Sequence, residues 1–330
     1  MSAESKWRFS DTYEWMDRVR RGFGPLIITC ALDGGVQGKE SNPNLPETPE
    51  EIAESAYEAY NAGASAVHIH GRDPNNLADC TMDRDVMYEI NSLVRAKCPD
   101  IIINNTTGGG PSVTMEDRYR GLEALPEMAS LNLGPDMSRF KIPDRRAPLP
   151  HPHEAQLFDE CIPFTYGIIE KLAGIMLEKG VKPELEIYQP GQYWVVRGLI
   201  EKDLIKAPYV HQFVMGYQTS IYPTPENIIS LIRELPEDSL YFVAAIGHFQ
   251  LPLTTLSVLM GGHVRVGLED NVYYKRGAKA EGNGQLVDRT VRIAKELNRE
   301  VATPAQAREI LGLSTTPSSY KQAHEIHQRV

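Results

Sequence analysis

Short apolar runs alternate with longer amphipathic stretches along most of this chain, and the alternation predicts a parallel α/β architecture. Pro25-Leu26-Ile27-Ile28-Thr29-Cys30-Ala31 is apolar nearly throughout, as a strand buried on both faces must be. A polar loop carrying Gly34, Gly35 and Gly38 follows. Thr48-Pro49-Glu50-Glu51 then opens a helix. Thr48 suits the N-cap, Pro49 the first helical position and Glu51 the third. That helix runs to Asn61 and stops before Gly63, and Ala66-Val67-His68-Ile69-His70-Gly71-Arg72 reads as the next strand.

The same pattern continues. Helices are expected over about Asp83–Lys97, Thr114–Leu125, Glu154–Lys179 (interrupted near Pro163), Gln192–Lys202, Pro225–Leu235 and Pro252–Met260. Strands are expected at Ile101–Asn105, Met128–Leu133, Glu184–Tyr188, Tyr209–Met215, Leu240–Ile246 and His263–Leu268. Residues 134–153 read as a long loop, and two helices, Asn283–Asn298 and Pro304–Leu311, close the body. Eight strands with helices between them, at close to 30 residues per unit, predict a (β/α)8 barrel. A doubly wound open sheet is the alternative, but no Gly-x-Gly-x-x-Gly follows the first strand. The expected organisation is an N-terminal extension over 1–24, the barrel over 25–313 and a polar tail over 314–330.

Composition narrows the function. A net charge of −10 argues against nucleic acid or an anionic membrane as partner. No apolar run reaches the roughly 18 residues of a membrane span. Residues 1–21 are charged and lack the apolar segment of a secretory signal. Cys30, Cys80, Cys98 and Cys161 form no C-x-x-C pair, which suits free thiols in a reducing cytoplasm.

The chemistry is expected at the C-terminal ends of the strands, where barrel enzymes keep it. Side chains two apart on a strand share a face, so His68 and His70 point the same way. Two imidazoles so placed make half of a metal site, and zinc chemistry usually wants three protein ligands and an open position. On the last strand Val264, Val266 and Leu268 form one face, and His263, Arg265, Gly267 and Glu269 the other. In a closed barrel the last strand neighbours the first, and the first the second. Glu269 is therefore expected to complete a His2Glu zinc set, with Asp270 turned inward beside Arg265. His263, at the start of its strand, is discounted, and His151, His153, His211 and His248 are read as surface or structural residues. Thr106-Thr107-Gly108-Gly109-Gly110 offers hydroxyls and open N–H groups for a carboxylate or phosphate, and Ser130 and Asn132 stand on the adjacent strand.

Several of these segments carry a family resemblance. Asn42-Pro43-Asn44-Leu45-Pro46 before Thr48-Pro49-Glu50-Glu51, His68-x-His70-x-Arg72, Thr107-Gly108-Gly109, Pro126 through Asn132, Gly261 through Asn271, and Ala302 through Leu311 occur in order. Over about residues 25–313 the chain resembles the β-keto acid cleavage enzymes, the family of 3-keto-5-aminohexanoate cleavage enzyme. The resemblance implies a zinc-dependent barrel, assembled as a homo-oligomer, a tetramer. Such an enzyme exchanges a β-keto acid and acetyl-CoA for acetoacetate and a new CoA thioester. It implies zinc on His68, His70 and Glu269, acid/base work by Asp270 oriented by Arg265, and substrate carboxylate contacts from Thr106 and Ser130. Arg139, Lys141, Arg145, Arg146, Lys275 and Arg276 lie in rim loops and are candidates for the CoA phosphates.

Two departures from the family pattern bear on the substrate. Where the amino-hexanoate enzyme has a first-loop glutamate that meets the substrate amine, this chain has Val36, which favours an uncharged or apolar tail. The turn after the sixth strand, often glycine-rich in the family, is here Gly216-Tyr217-Gln218-Thr219-Ser220-Ile221-Tyr222-Pro223. The rival readings are an amidohydrolase-like metal-dependent hydrolase and a non-catalytic metal-binding barrel. The first expects its H-x-H after the first strand and further ligands on strands five and six. The second gives no reason for Asp270 and Arg265 beside the metal ligands.

Overall fold

The structure is a computed structural model and describes residues 12–110 and 113–320. A helix α1, Thr12–Arg21, precedes strand β1, Ile28–Ala31, and helix α2, Pro49–Ala62. Then follow β2 (Ala66–Ile69), β3 (Gly71–Asp73), β4 (Asn76–Thr81), α3 (Arg84–Lys97), β5 (Ile102–Asn105) and α4 (Met115–Gly121). The middle of the chain forms β6 (Met128–Asn132), β7 (Asp136–Ile142), β8 (Gln156–Ile162), α5 (Tyr166–Lys179), β9 (Lys182–Ile187) and α6 (Tyr193–Glu201). It continues through β10 (Tyr209–Met215), α7 (Pro225–Glu234), β11 (Ser239–Ala245) and α8 (Gln250–Leu259). Strands β12 (His263–Val266), β13 (Tyr273–Lys275) and β14 (Ala278–Lys279) and helices α9 (Asn283–Glu296) and α10 (Pro304–Leu311) complete it.

Strands β1, β2, β5, β6, β9, β10, β11 and β12 close into a parallel barrel in that order. The expected fold is the observed one. The expected capping box of α2 is present: Thr48 accepts from the Glu51 N–H, and the Glu51 carboxylate accepts from the Thr48 N–H.

Residues paired across neighbouring parallel strands point to the same side of the sheet, so the register identifies the barrel interior. Its floor is apolar, built from Ile27, Ala66, Ile102, Met128, Val210 and Phe242 and sealed by Ala307 and Leu311 of α10. Above the floor the interior turns polar. His68 pairs with Asn104, Ser130 with Glu184, Glu186 with Gln212, and Arg265 with Thr29. The opposite strand faces carry the aliphatic side chains that pack beneath the surrounding helices, such as Val67, Ile69, Val264 and Val266. An apolar plug below and charged groups above concentrate the chemistry at the C-terminal mouth.

The expected helix over Glu154–Lys179 is only half right. Residues 156–162 instead form β8, paired antiparallel with β7 from Asp136↔Ile162 to Ile142↔Gln156. Pro163 separates the two conformations, and Thr165 caps the true helix by accepting from the Ile168 N–H. The hairpin takes up part of the segment read as loop. The β3–β4 and β13–β14 hairpins, which the pattern analysis did not separate from loops, likewise rise from the mouth after β2 and β12. Of the expected N-terminal extension, residues 1–11 lie outside the described residues.

Candidate active site

The β2 strand ends in His68 and His70, both buried, with Nε2 atoms 3.3 Å apart. The backbone after β12 brings Glu269 to them. Gly267 makes this possible at φ +145°, where a Cβ would lie 2.0 Å from the Ala31 carbonyl oxygen. Gly34, at φ +71°, leaves room for the Glu269 side chain, whose Cγ a Cβ would meet at 2.7 Å. Glu269 Oε1 lies 3.4 Å from His70 Nε2, and Oε2 lies 3.8 Å from His68 Nε2. The first loop is fastened to the same point, since Gln37 Nε2 donates to the carbonyls of Leu268 (3.1 Å) and Glu269 (3.0 Å). Half-buried Val36 precedes Gln37, and Gly35 stands beside the His70 ring.

These donors fit a metal. Among the described residues His68, His70 and Glu269 are the cluster whose ligand atoms all lie within 4.8 Å of one another. For bonds of about 2.0–2.1 Å, the edge of a tetrahedron around the ion is roughly 3.3–3.5 Å, against the observed 3.3, 3.4 and 3.8 Å. Glu269 Oε2 is buried and accepts no hydrogen bond. Burial holds His68 well below the ordinary histidine range, leaving its lone pair available. Burial opposes a charge on His70 too, but the Glu269 carboxylate and the Cys80 thiol together outweigh it and lift that imidazole to about 10. A pocket that draws a proton so strongly is one whose field favours a cation.

Arg265 and Asp270 form the second half. Arg265 Nε donates to Asp270 Oδ2 at 3.0 Å and Nη2 to Oδ1 at 2.9 Å, a two-pronged contact of buried groups. The same guanidinium also bonds Glu269 and lies 3.7 Å from Glu186 Oε1. Burial raises Asp270 to about 6, against the pull of Arg265. It is thus ionised near neutral pH yet able to take up a proton.

The third and fourth barrel strands supply the other candidates. Thr106, which follows the third barrel strand, and Ser130 and Asn132 of the fourth are all buried, and the latter two lie on inward register positions. Thr106 Oγ1 accepts from the Gly108 N–H at 3.0 Å. Thr107 braces the fourth strand, its N–H donating to Ser130 Oγ (3.0 Å) and its hydroxyl to the Ser130 carbonyl (2.6 Å). Among the described residues the Ser130 hydroxyl accepts this bond and donates none, which leaves its proton for a ligand. Gly109, at φ +68°, shapes the turn.

Several site groups escaped the sequence reading. Glu184 and Glu186 project into the barrel; burial raises them to about 7 and about 8. Their Glu-x-Glu spacing is the same period-two signal as His68-x-His70 and could have revealed them. Asn104 Nδ2 donates to Glu184 at 3.0 Å. Asp33 accepts from the His70 N–H at 3.0 Å and fixes the end of β2. Among the rim cations, Arg145 is corrected: it is buried between Glu40 and Glu47, its Nη1 2.7 Å from each, and cannot meet a phosphate. His211 is buried facing away from the mouth, with Nε2 3.2 Å from Ser239 Oγ, and His263 Nδ1 accepts from the Ile27 N–H.

A family model described as beta-keto acid cleavage enzyme matches residues 25–313. The chain is 39% identical over 289 residues to 3-keto-5-aminohexanoate cleavage enzyme of Acetoanaerobium sticklandii, covering 88% of this chain and 98% of that protein. It is 31% identical over 300 residues to 3,5-dioxohexanoate:acetyl-CoA acetone transferase of Paraburkholderia graminis, covering 87% and 96%. A solved structure, the binary complex of ObcA with oxaloacetate, superposes with a TM-score of 0.63 at 18% identity, covering 82% of this chain and 68% of that one. That likeness concerns the fold alone.

Proposed function

The chain belongs to the beta-keto acid cleavage enzyme family, and from that premise we propose a zinc-dependent acyl exchange at the mouth of this barrel. A β-keto acid and acetyl-CoA enter; acetoacetate and a new CoA thioester leave. The observation that carries this reading is the convergence of His68, His70 and Glu269 beside the Asp270–Arg265 pair. Zinc held by those three side chains would supply Lewis acidity for the negative charge that develops on the ketone oxygen.

The chain's own residues account for the rest. Moving an acetyl group onto C2 of the keto acid requires C2 to be a nucleophile, so its proton must leave. Asp270 takes it, and Arg265 holds the carboxylate in place and ionised. C2 then bonds to the acetyl carbonyl carbon and the CoA thiolate departs. The thiolate attacks C3, the C2–C3 bond breaks, and C2 recovers its proton from Asp270. Thr106 and Ser130 hold the substrate carboxylate so that C2 faces Asp270. Every proton and thiolate is returned, so no further reagent is needed. An assay of several β-keto acids with and without acetyl-CoA tests this reading. Acetoacetate should form only when the thioester is present. Cleavage of the keto acid by water alone would overturn it in favour of a hydrolase. The structure gives that rival little support, because the H-x-H lies on the second barrel strand and His211 faces away from the mouth.

Val36 sets the substrate's charge in this account. An ammonium beside it would lose its hydration without gaining a partner. Turnover should favour an uncharged tail over an amino-substituted one, and Val36→Glu should shift kcat/KM toward the amine by about tenfold or more. Equal kcat/KM for the two acids in both proteins would contradict the assignment.

We place a subunit contact at α1, where Tyr13, Met16 and Val19 are exposed at spacings of three along one side. A homotetramer is the expected assembly. Light scattering at micromolar concentration should give four times the chain mass; a monomer would contradict it.

A further inference from the structure

The loop after the last barrel strand carries charge that the mechanism does not use. Residues Val272 to Ala280 include Lys275, Arg276 and Lys279 and no acid, in a chain of net charge −10. All three cations are exposed and join no ion pair among the described residues. The rim arginines are occupied, Arg139 by Asp159 at 2.6 Å, Arg145 by Glu40 and Glu47, and Arg146 by Asp144, while exposed Lys141 is a lone cation on the β7–β8 hairpin and not part of a cluster.

The β13–β14 hairpin is held firmly. Asn42 Nδ2 donates to the carbonyls of Val272 and Ala280, each at 3.0 Å, and ties the two legs together. Tyr274 is clamped from one side, with the Arg289 guanidinium 4.5 Å from its ring centre and Arg292 Nη2 3.2 Å from its hydroxyl. Tyr273 pairs directly with Lys279, so the two share a face, and Tyr273 is 47% exposed. The hairpin also lies against the Gly247–Phe249 turn after β11, which carries exposed His248. The Gly247 N–H donates to the Asp270 carbonyl at 2.8 Å, so both loops meet at the reacting centre. In barrels of this kind the loops after the seventh and eighth strands frequently build a phosphate site. Asp270 to Lys275 is five residues, a reach of at most roughly 18 Å, of the same order as an extended pantetheine arm.

We propose that the β13–β14 hairpin seats the 3′-phospho-ADP end of coenzyme A, with Lys275, Arg276 and Lys279 on its phosphates and the Tyr273 ring against the adenine. This deepens, and rests on, the reading of acetyl-CoA as co-substrate. Exposed cations without acidic partners suit three phosphate groups, and an aromatic face beside them suits a base.

The test compares acetyl-CoA with acetyl-pantetheine, which lacks the nucleotide. In the K275A/R276A double variant, KM for acetyl-CoA should rise about tenfold or more, with kcat and the KM for acetyl-pantetheine unchanged. K275R/R276K should restore most of the loss. Adenosine 3′,5′-bisphosphate alone should bind the unsubstituted enzyme in calorimetry and bind K275A/R276A at least about tenfold more weakly. An unchanged KM for acetyl-CoA in K275A/R276A overturns the assignment, as does an equal rise for both thioesters. A rise in Lys141→Ala instead would move the site to the β7–β8 hairpin and overturn it as well. An unsubstituted enzyme that binds the bisphosphate at this hairpin but makes no acetoacetate from either thioester would overturn the proposed reaction and leave the nucleotide site standing.

Discussion

Asp270→Asn is expected to reduce kcat by on the order of 10²-fold or more, about 2.7 kcal/mol or more of barrel-mouth catalysis, while leaving fold and metal in place. An asparagine keeps the shape of the side chain and one acceptor for Arg265, which retains Glu269 and the nearby Glu186 as carboxylate partners. The buried guanidinium is therefore not stranded. What is lost is the group placed both to accept the C2 proton and to return it. KM for the keto acid should change far less, since Thr106, Ser130 and the metal ligands are untouched. Steady-state kinetics with metal analysis of the same preparation checks this. Metal loss with activity restored by added zinc would mean that Asp270 is a ligand and that Glu269 and Asp270 have exchanged roles.

The second large effect concerns the metal itself. The purified protein should contain about one zinc per chain. His68→Ala or His70→Ala should lose nearly all of it, and the activity with it, because each removes one of three converging donors. Glu269→Gln should weaken retention first and catalysis as a consequence, since a neutral amide replaces the anion that favours a cation here. Full zinc retention in both histidine variants, by elemental analysis, would remove the metal from this site.

Much of this arrangement could be read before any coordinates. Strands buried on two faces are nearly continuous apolar runs, so the eight barrel strands declared themselves, and helix caps such as Thr48 marked the units between them. Barrel closure then made Glu269 a neighbour of His68 and His70, although about 200 residues separate them along the chain. Other features had weaker local signals. The Glu-x-Glu spacing puts Glu184 and Glu186 on one strand face, and the register with Ser130 and Asn132 identifies that face as the inward one. Arg145 looks like any rim cation until Glu40 and Glu47, from a loop far away in sequence, enclose it. The β7–β8 hairpin hid inside a helix-like stretch because Phe158 and Ile162, four apart, fit either a helix face or alternate positions of a strand. Tertiary pairing with Asp136–Ile142 decided between them.

The proposed reaction makes a specific statement about carbon. The acetyl group of acetyl-CoA becomes the acetyl end of acetoacetate, while the carboxymethylene comes from the keto acid. Supplying acetyl-CoA labelled with ¹³C in both acetyl carbons and following the products by NMR tests this directly. The account predicts label at C3 and C4 of acetoacetate, none at C1 or C2, and an unlabelled new CoA thioester. Labelled acetate beside unlabelled carboxylic acids, with no labelled acetoacetate, would show hydrolysis in place of exchange and contradict it.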